Sequence, residues 1–204
     1  MSIDTGRKDE LSRRQEAFWK VVLSGAPELL AIQTDYPRPA VLGPEEWVVD
    51  FALGSMAADR PDASGHECGT VLLAAWVTLL ARLSRQDDVV VGTRMPMARR
   101  VEPTPASGAA AGVLALRMDL SGQPSVAELL GSVAERMLDA ARHGDIPPRR
   151  LVELLGLPRN ASHHPLFQAM FVMEPDGAGV RELPDAPRND PDAGEADARC
   201  DLVL

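Results

Sequence analysis

The sequence predicts an α/β fold, a layered sandwich in which helices cover a mixed sheet. Three observations predict it. Segments with apolar residues at helical spacing alternate along the chain with short β-branched runs. Long connections rather than tight hairpins separate the strand candidates, so part of the sheet is expected to be parallel. Aromatic residues are only 4% of a 204-residue chain that is 45% hydrophobic. Leu, Val, Ala and Met must therefore fill one core, as helices packed on a sheet permit.

Each element has its own reason. From Asp9 to Ser24, Leu11, Phe18 and Val22 recur at helical intervals among charges, and Gly25-Ala26-Pro27 ends the helix. Trp47 to Leu53 is a short β-forming run bounded by Gly54, and it predicts a strand. Gly69 to Leu83 is apolar nearly all round, which predicts a central helix buried on several sides. Asp88-Val89-Val90-Val91-Gly92 has the continuous β-branched character of a strand covered on both faces. Val113 to Leu120 predicts another strand. Ser125-Val126-Ala127-Glu128 spells a capping box, after which Val126, Leu129, Leu130, Val133, Met137, Leu138 and Ala141 trace one helical face. Ile146-Pro147-Pro148 opens a short helix that Gly156 stops, and Phe167 to Met173 reads as a strand. No internal repeat interrupts this order.

The remaining composition limits function. Seventeen prolines and sixteen glycines cluster in Ala26 to Pro44, Thr93 to Gly112 and Glu174 to Arg199, which read as loops. The formal charge is −9, which argues against nucleic acid as a partner, because such affinity comes largely from Lys and Arg releasing counterions. Residues 174–199 carry eight acidic and three basic side chains, a balance of −5, and predict an acidic Pro/Gly-rich loop. Residues 1–8 are polar, lack a signal-peptide pattern and are expected to be flexible. With no apolar run long enough to span a bilayer, the expectation is no membrane and a cytoplasmic protein. Cys68 and Cys200 stand apart without a metal-ligand spacing, so reduced thiols and no metal are expected. No phosphate-binding glycine loop and no G-x-S-x-G nucleophile elbow occurs.

Several stretches stand in a family's order: Phe18-Trp19-Lys20, Leu23-Ser24-Gly25-Ala26-Pro27, Thr34-Asp35-Tyr36-Pro37-Arg38-Pro39, Gln86-Asp87-Asp88-Val89-Val90-Val91-Gly92-Thr93, Leu116-Arg117-Met118-Asp119-Leu120 and Pro165-Leu166-Phe167-Gln168-Ala169-Met170-Phe171. Together they resemble the C-terminal lobe of a condensation domain from nonribosomal peptide synthetases, and Cys200 to Leu204 is similar to a strand that a full-length domain continues beyond. The resemblance implies one chloramphenicol acetyltransferase-like lobe, a single truncated condensation-like domain over residues 1–204. The lobe carrying the HHxxxDG signature is not among these stretches.

That resemblance sorts the candidate site residues. His163-His164 is followed by Pro165-Leu166-Phe167-Gln168-Ala169, without the Asp and Gly of HHxxxDG. It resembles instead the family's RDxSRNPLFQxMF segment, with the two histidines in place of Arg-Asn, so a structural pair at the surface or between elements is expected and no catalytic residue is assigned. His143-Gly144-Asp145-Ile146-Pro147-Pro148-Arg149 resembles HNQDxPFE, which in the family lies where lobes and substrate channel meet. His143 and Asp145 are therefore channel or inter-lobe candidates. Read physically, His143 closes a helix whose dipole favours positive charge, and Asp145 can cap the helix after it. Ala109-Ala110-Ala111-Gly112-Val113 stands where the family has a bulky GxFVNT stretch, so Gly112 and Val113 mark either a widened channel or a loop that serves no substrate. Arg94, Arg99 and Arg100 are candidates for contact with an acidic partner, against the commoner reading of solvated loop charges.

The implied function is an interaction module of secondary-metabolite, antibiotic-type peptide biosynthesis, inactive alone. Its implied partners are peptidyl or acyl carrier proteins, other synthetase domains and tailoring enzymes. No cofactor is expected to be bound, since the phosphopantetheine arm would arrive on the carrier. One alternative is half of a split condensation domain that forms amides when a complementary HHxxxDG lobe is supplied. The other is a degenerate remnant.

Overall fold

In the computed structural model the described residues are 3–43, 47–50, 68–94, 113–144, 146, 148–173 and 200–204. They form four helices and four strands: α1 (Ile3–Leu23), α2 (Cys68–Ser84), β1 (Asp88–Arg94), β2 (Val113–Asp119), α3 (Val126–Arg142), α4 (Pro148–Leu155), β3 (Ala169–Val172) and β4 (Leu202–Val203). The sheet order is β2-β1-β3-β4. β1 pairs antiparallel with β2, Val91 opposite Leu116, and parallel with β3, Val91 opposite Ala169. β3 pairs parallel with β4. The expected mixed sheet is present, and β1 is central with a ladder on each side.

Sequence dictates that central place. Val89, Val90, Val91, Gly92 and Thr93 are all buried, so β1 is covered on both faces, as its unbroken β-branched run requires. Gly92 meets a close approach. A Cβ there would lie 2.5 to 2.9 Å from three ring carbons of Phe167, so only glycine lets that buried ring lie against the strand. The imperfect alternation of β2 has the same explanation, since Val113 to Leu116 are all buried.

Helix ends follow local chemistry. Ser125 caps α3 in full: its hydroxyl accepts from the Glu128 N–H, and the Glu128 carboxylate accepts from the Ser125 N–H at 2.8 Å. α4 stops where Gly156 takes φ +64°, with the Leu157 N–H donating to the Val152 carbonyl. Arg85 performs the same turn at the end of α2 with φ +57°, a conformation that costs a side-chain-bearing residue more than glycine.

Four expectations need correction. α1 begins at Ile3 rather than Asp9; each residue added to an existing helix gains a hydrogen bond, and polarity alone does not stop propagation. α4 starts at Pro148, two residues beyond Ile146, because the fixed φ of proline suits the first helical position. α2 is buried along one side only: Leu79 and Leu83 are close to half exposed. Trp47 to Asp50 is exposed and pairs with no strand among the described residues; residues 51–53 of that candidate lie outside the described set, as does the acidic segment 174–199.

Candidate functional site

The turn after α3 collects most of the chemistry near the substrate-channel candidates. α3 buries Leu130, Val133 and Ala140 along the face its periodicity marks, and it ends at His143, whose N–H donates to the carbonyls of Asp139 and Ala140. The imidazole folds back over the helix end. Nδ1 lies 2.8 Å from the Asp139 carbonyl oxygen, which can only accept, so the contact places the proton on Nδ1. The ring stacks on Phe18 of α1 with centroids 3.8 Å apart and planes 7° from parallel. One residue on, the buried Trp19 donates its indole N–H to the His143 carbonyl at 2.9 Å. Two neighbouring aromatics of α1 therefore fix the ring and the backbone of His143. Its Nε2 has no hydrogen-bond partner among the described residues.

Gly144 lets this turn press on the sheet. A Cβ there would meet the Leu114 side chain at 2.8 Å and the Ala140 carbonyl oxygen at 3.1 Å. Through Leu114 the turn reaches the start of β2, where the candidate Val113 is buried and lies opposite Arg94 in the ladder. The fold thus gathers His143, Val113 and Arg94 toward one end of the β1–β2 pair. Arg94 is the half-buried last residue of β1 rather than a solvated loop charge. Asp145, Gly112, Arg99 and Arg100 lie outside the described residues.

The other histidines belong to the loop before β3, and both are buried. The Ser162 hydroxyl is 2.9 Å from both the Asn160 side-chain oxygen and His163 Nδ1. As the amide oxygen only accepts, the hydroxyl hydrogen goes to Asn160 and His163 Nδ1–H donates to the serine oxygen, leaving buried Nε2 without a partner. Nδ1 of His164 accepts the backbone N–H groups of Leu166 and Phe167 at 3.3 and 3.4 Å, and its ring stacks on Phe167. These contacts make them an inter-element pair, inside rather than at the surface.

Four polar residues that carry no sequence-based assignment hold the framework of both regions. The Gln168 side chain accepts the Leu30 N–H at 2.6 Å and donates to the carbonyls of His164 at 2.6 Å and Glu28 at 3.3 Å. Gln86 does the same one residue along, accepting from the Ala31 N–H at 2.7 Å and donating to the Leu29 carbonyl at 3.1 Å. Two glutamines thus stand in for a neighbouring strand beside residues 28–31. Arg38 grips both carboxylate oxygens of Asp201 and the Ser162 carbonyl, tying the chain after this stretch to β4. Arg117 forks onto Asp88 and also donates to the carbonyls of Val22, Ser24 and Gly25, which closes the end of α1. Hydrogen bonds to Asp201 and Asp88 raise the pKa of Arg38 and Arg117 further, so both stay cationic at any working pH. The available signal was polarity inside apolar runs: Gln168 in Leu166-Phe167-Gln168-Ala169-Met170 and Arg117 in Leu116-Arg117-Met118.

The described residues form a mixed sheet clad in helices, and no group of three metal-ligating side chains occurs among them. The chain belongs to the condensation domain family, which matches residues 5–197. Among curated relatives, a linear gramicidin synthase polypeptide of Brevibacillus parabrevis is 42% identical over 169 residues, 81% of this chain and 3% of that protein. Malpinin synthetase of Mortierella alpina is 38% identical over 202 residues, 96% of this chain and 3% of that protein. Among solved structures, the complex of the X-domain and OxyB from teicoplanin biosynthesis matches with TM-score 0.70 and 28% identity, over 83% of this chain and 38% of that one. The chain therefore spans a small part of the curated relatives it matches. Its fold is the chloramphenicol acetyltransferase-like one of condensation domains, a family that forms amide bonds in nonribosomal peptide synthesis and works with phosphopantetheine-bearing carrier domains. No helix among the described residues is long and apolar enough to cross a membrane.

Proposed function

We propose that this chain is a docking platform of cytoplasmic nonribosomal peptide assembly, a single C-terminal-lobe unit that binds a carrier protein or a tailoring enzyme and does not form amides alone. The carrying observation is the state of its three described histidines. Attack of an amine on a thioester needs a positioned proton acceptor. His163 and His164 are buried in contacts of their own loop, and no HHxxxDG run occurs in the sequence to set a histidine beside a reacting amine. The solved X-domain complex with OxyB supports binding as a use for such a scaffold. In this reading His143, Asp145, Gly112 and Val113 face the channel or a second lobe, and Arg94, Arg99 and Arg100 meet the acidic surface of a carrier. The phosphopantetheine arm comes with that carrier.

The test is binding of the purified chain to carrier proteins and enzymes encoded beside it, together with incubation with aminoacyl thioesters. Saturable binding without amide product is expected. Amide formation by the lone chain, abolished by His143→Ala, would overturn the proposal.

Exposed apolar surface favours a second reading, a split condensation domain. Tyr36, Val41, Trp47, Leu79 and Leu83 are all exposed, and large apolar side chains of this kind are what a second lobe would cover. Co-expression with an HHxxxDG lobe followed by a peptide-transfer assay decides it, and an inactive reconstituted pair counts against it.

A further inference from the structure

We infer that Leu114 of β2 and Gly144 are positioning residues for His143: the bare backbone at 144 and the length of the side chain at 114 together set where the imidazole is presented. The contact between them stands on the geometry alone, and its effect on a partner rests on the docking reading proposed above.

Two consecutive residues carry the argument. His143 is fastened to α1, its ring stacked on Phe18 with centroids 3.8 Å apart and its carbonyl accepting the Trp19 indole N–H. Gly144 is seated on β2, where a Cβ would lie 2.8 Å from Leu114 Cδ2 and 3.1 Å from the Ala140 carbonyl oxygen. The turn thus takes its place from α1 at one residue and from the sheet at the next. Neither support yields easily. Leu114 is 5% exposed and lies opposite Thr93 in the β1–β2 ladder, so its side chain is packed in and cannot swing to solvent. The Ala140 carbonyl belongs to the end of α3 and already accepts the His143 N–H at 3.2 Å. Beyond the turn Ile146, Pro148 and Leu151 are buried, which anchors the chain on that side too.

The requirement for glycine is one of space. Unlike Gly25 and Gly156, Gly144 does not adopt a left-handed φ, so its backbone would accept alanine and only its neighbours exclude it. Carbon atoms in ordinary contact lie roughly 3.5–4.0 Å apart. A methyl at 144 therefore lifts the turn by about 1 Å unless the δ carbons of residue 114 are removed. A misplacement of about that size, caused by a change away from the chemistry, can cost an enzyme about a hundredfold. Gly131 of α3 supplies the contrast, since a Cβ there meets nothing within 4 Å.

Proton NMR of the His143 imidazole tests this, because the phenyl ring current shifts the carbon-bound protons of a ring stacked on Phe18, and Phe18→Leu gives their unstacked position. Gly144→Ala should move the His143 resonances toward that position, while Gly131→Ala leaves them in place. Leu114→Val removes the δ carbons and keeps a strand former. Added to Gly144→Ala, it should return the resonances to the wild-type position, and this double variant decides the matter even where Gly144→Ala alone folds poorly. Resonances unmoved by Gly144→Ala, or a double variant that stays at the Phe18→Leu position, overturn the inference. Calorimetric titration with the carrier proteins and enzymes encoded beside the chain gives the second readout: Gly144→Ala should weaken binding about tenfold, and Leu114→Val should restore it. If the wild type binds none of them while the resonances move and return as described, the docking reading fails and the positioning role stands.

Discussion

His143 and the His163-His164 pair differ in what the fold leaves free. At His143, α1 supplies a ring face and an indole N–H, the Asp139 carbonyl fixes the tautomer, and Nε2 has no partner among the described residues. At residues 163 and 164 both rings are buried, and the contacts they make serve the loop that leads into β3. The comparison teaches that the signature-like doublet is the less useful place for chemistry. A histidine matters to a ligand through the nitrogen its own protein does not need.

Breaking the buried side of this comparison should have the largest effect. Gln168→Ala leaves the Leu30 N–H and the His164 carbonyl without their partners, and a loss of about 3 kcal/mol is expected in urea unfolding at neutral pH. Trp19→Phe keeps most of the apolar volume but leaves the His143 carbonyl unpaired and should cost ~2 kcal/mol by the same measurement. His143→Ala sharpens the contrast, because loss of the Phe18 stack and one hydrogen bond should cost only about 1 kcal/mol. Its main consequence is expected in partner affinity, measured by calorimetric titration. A stability loss as large as that of Gln168→Ala would show that the His143 turn is framework too.

A smaller effect concerns pH. Hydrogen bonds from the Ser125 hydroxyl and N–H hold the Glu128 carboxyl below its ordinary range. A group whose folded pKa is depressed stabilises above its unfolded pKa, and that contribution disappears as pH falls through the folded value. Ser125→Ala should therefore narrow the difference in melting temperature between neutral and acidic solution. An unchanged difference would mean that the box contributes nothing in water.

Elements with a strong period were legible. α3 was announced by Ser125 and Glu128 together with its apolar face, and β1 by three consecutive valines. The family's stretches located the His143 turn, and the departure of Pro165-Leu166-Phe167 from the signature set the doublet aside. What sequence could not show was long-range polar bonding. Gln86 and Gln168 reach back 55 and 138 residues to the same short stretch, and no local pattern encodes a partner that far away. The exposed side of α2 escaped for a related reason: apolar composition states what could be covered, and only topology decides what is.

Both glutamines clasp the main chain of residues 28–31 and ignore its side groups. Recognition of that kind is indifferent to spelling, so substitutions at Glu28, Leu29 or Ala31 should leave the attachment intact, and drift among relatives can accumulate there freely, while the two amides that do the holding cannot be exchanged even for glutamate.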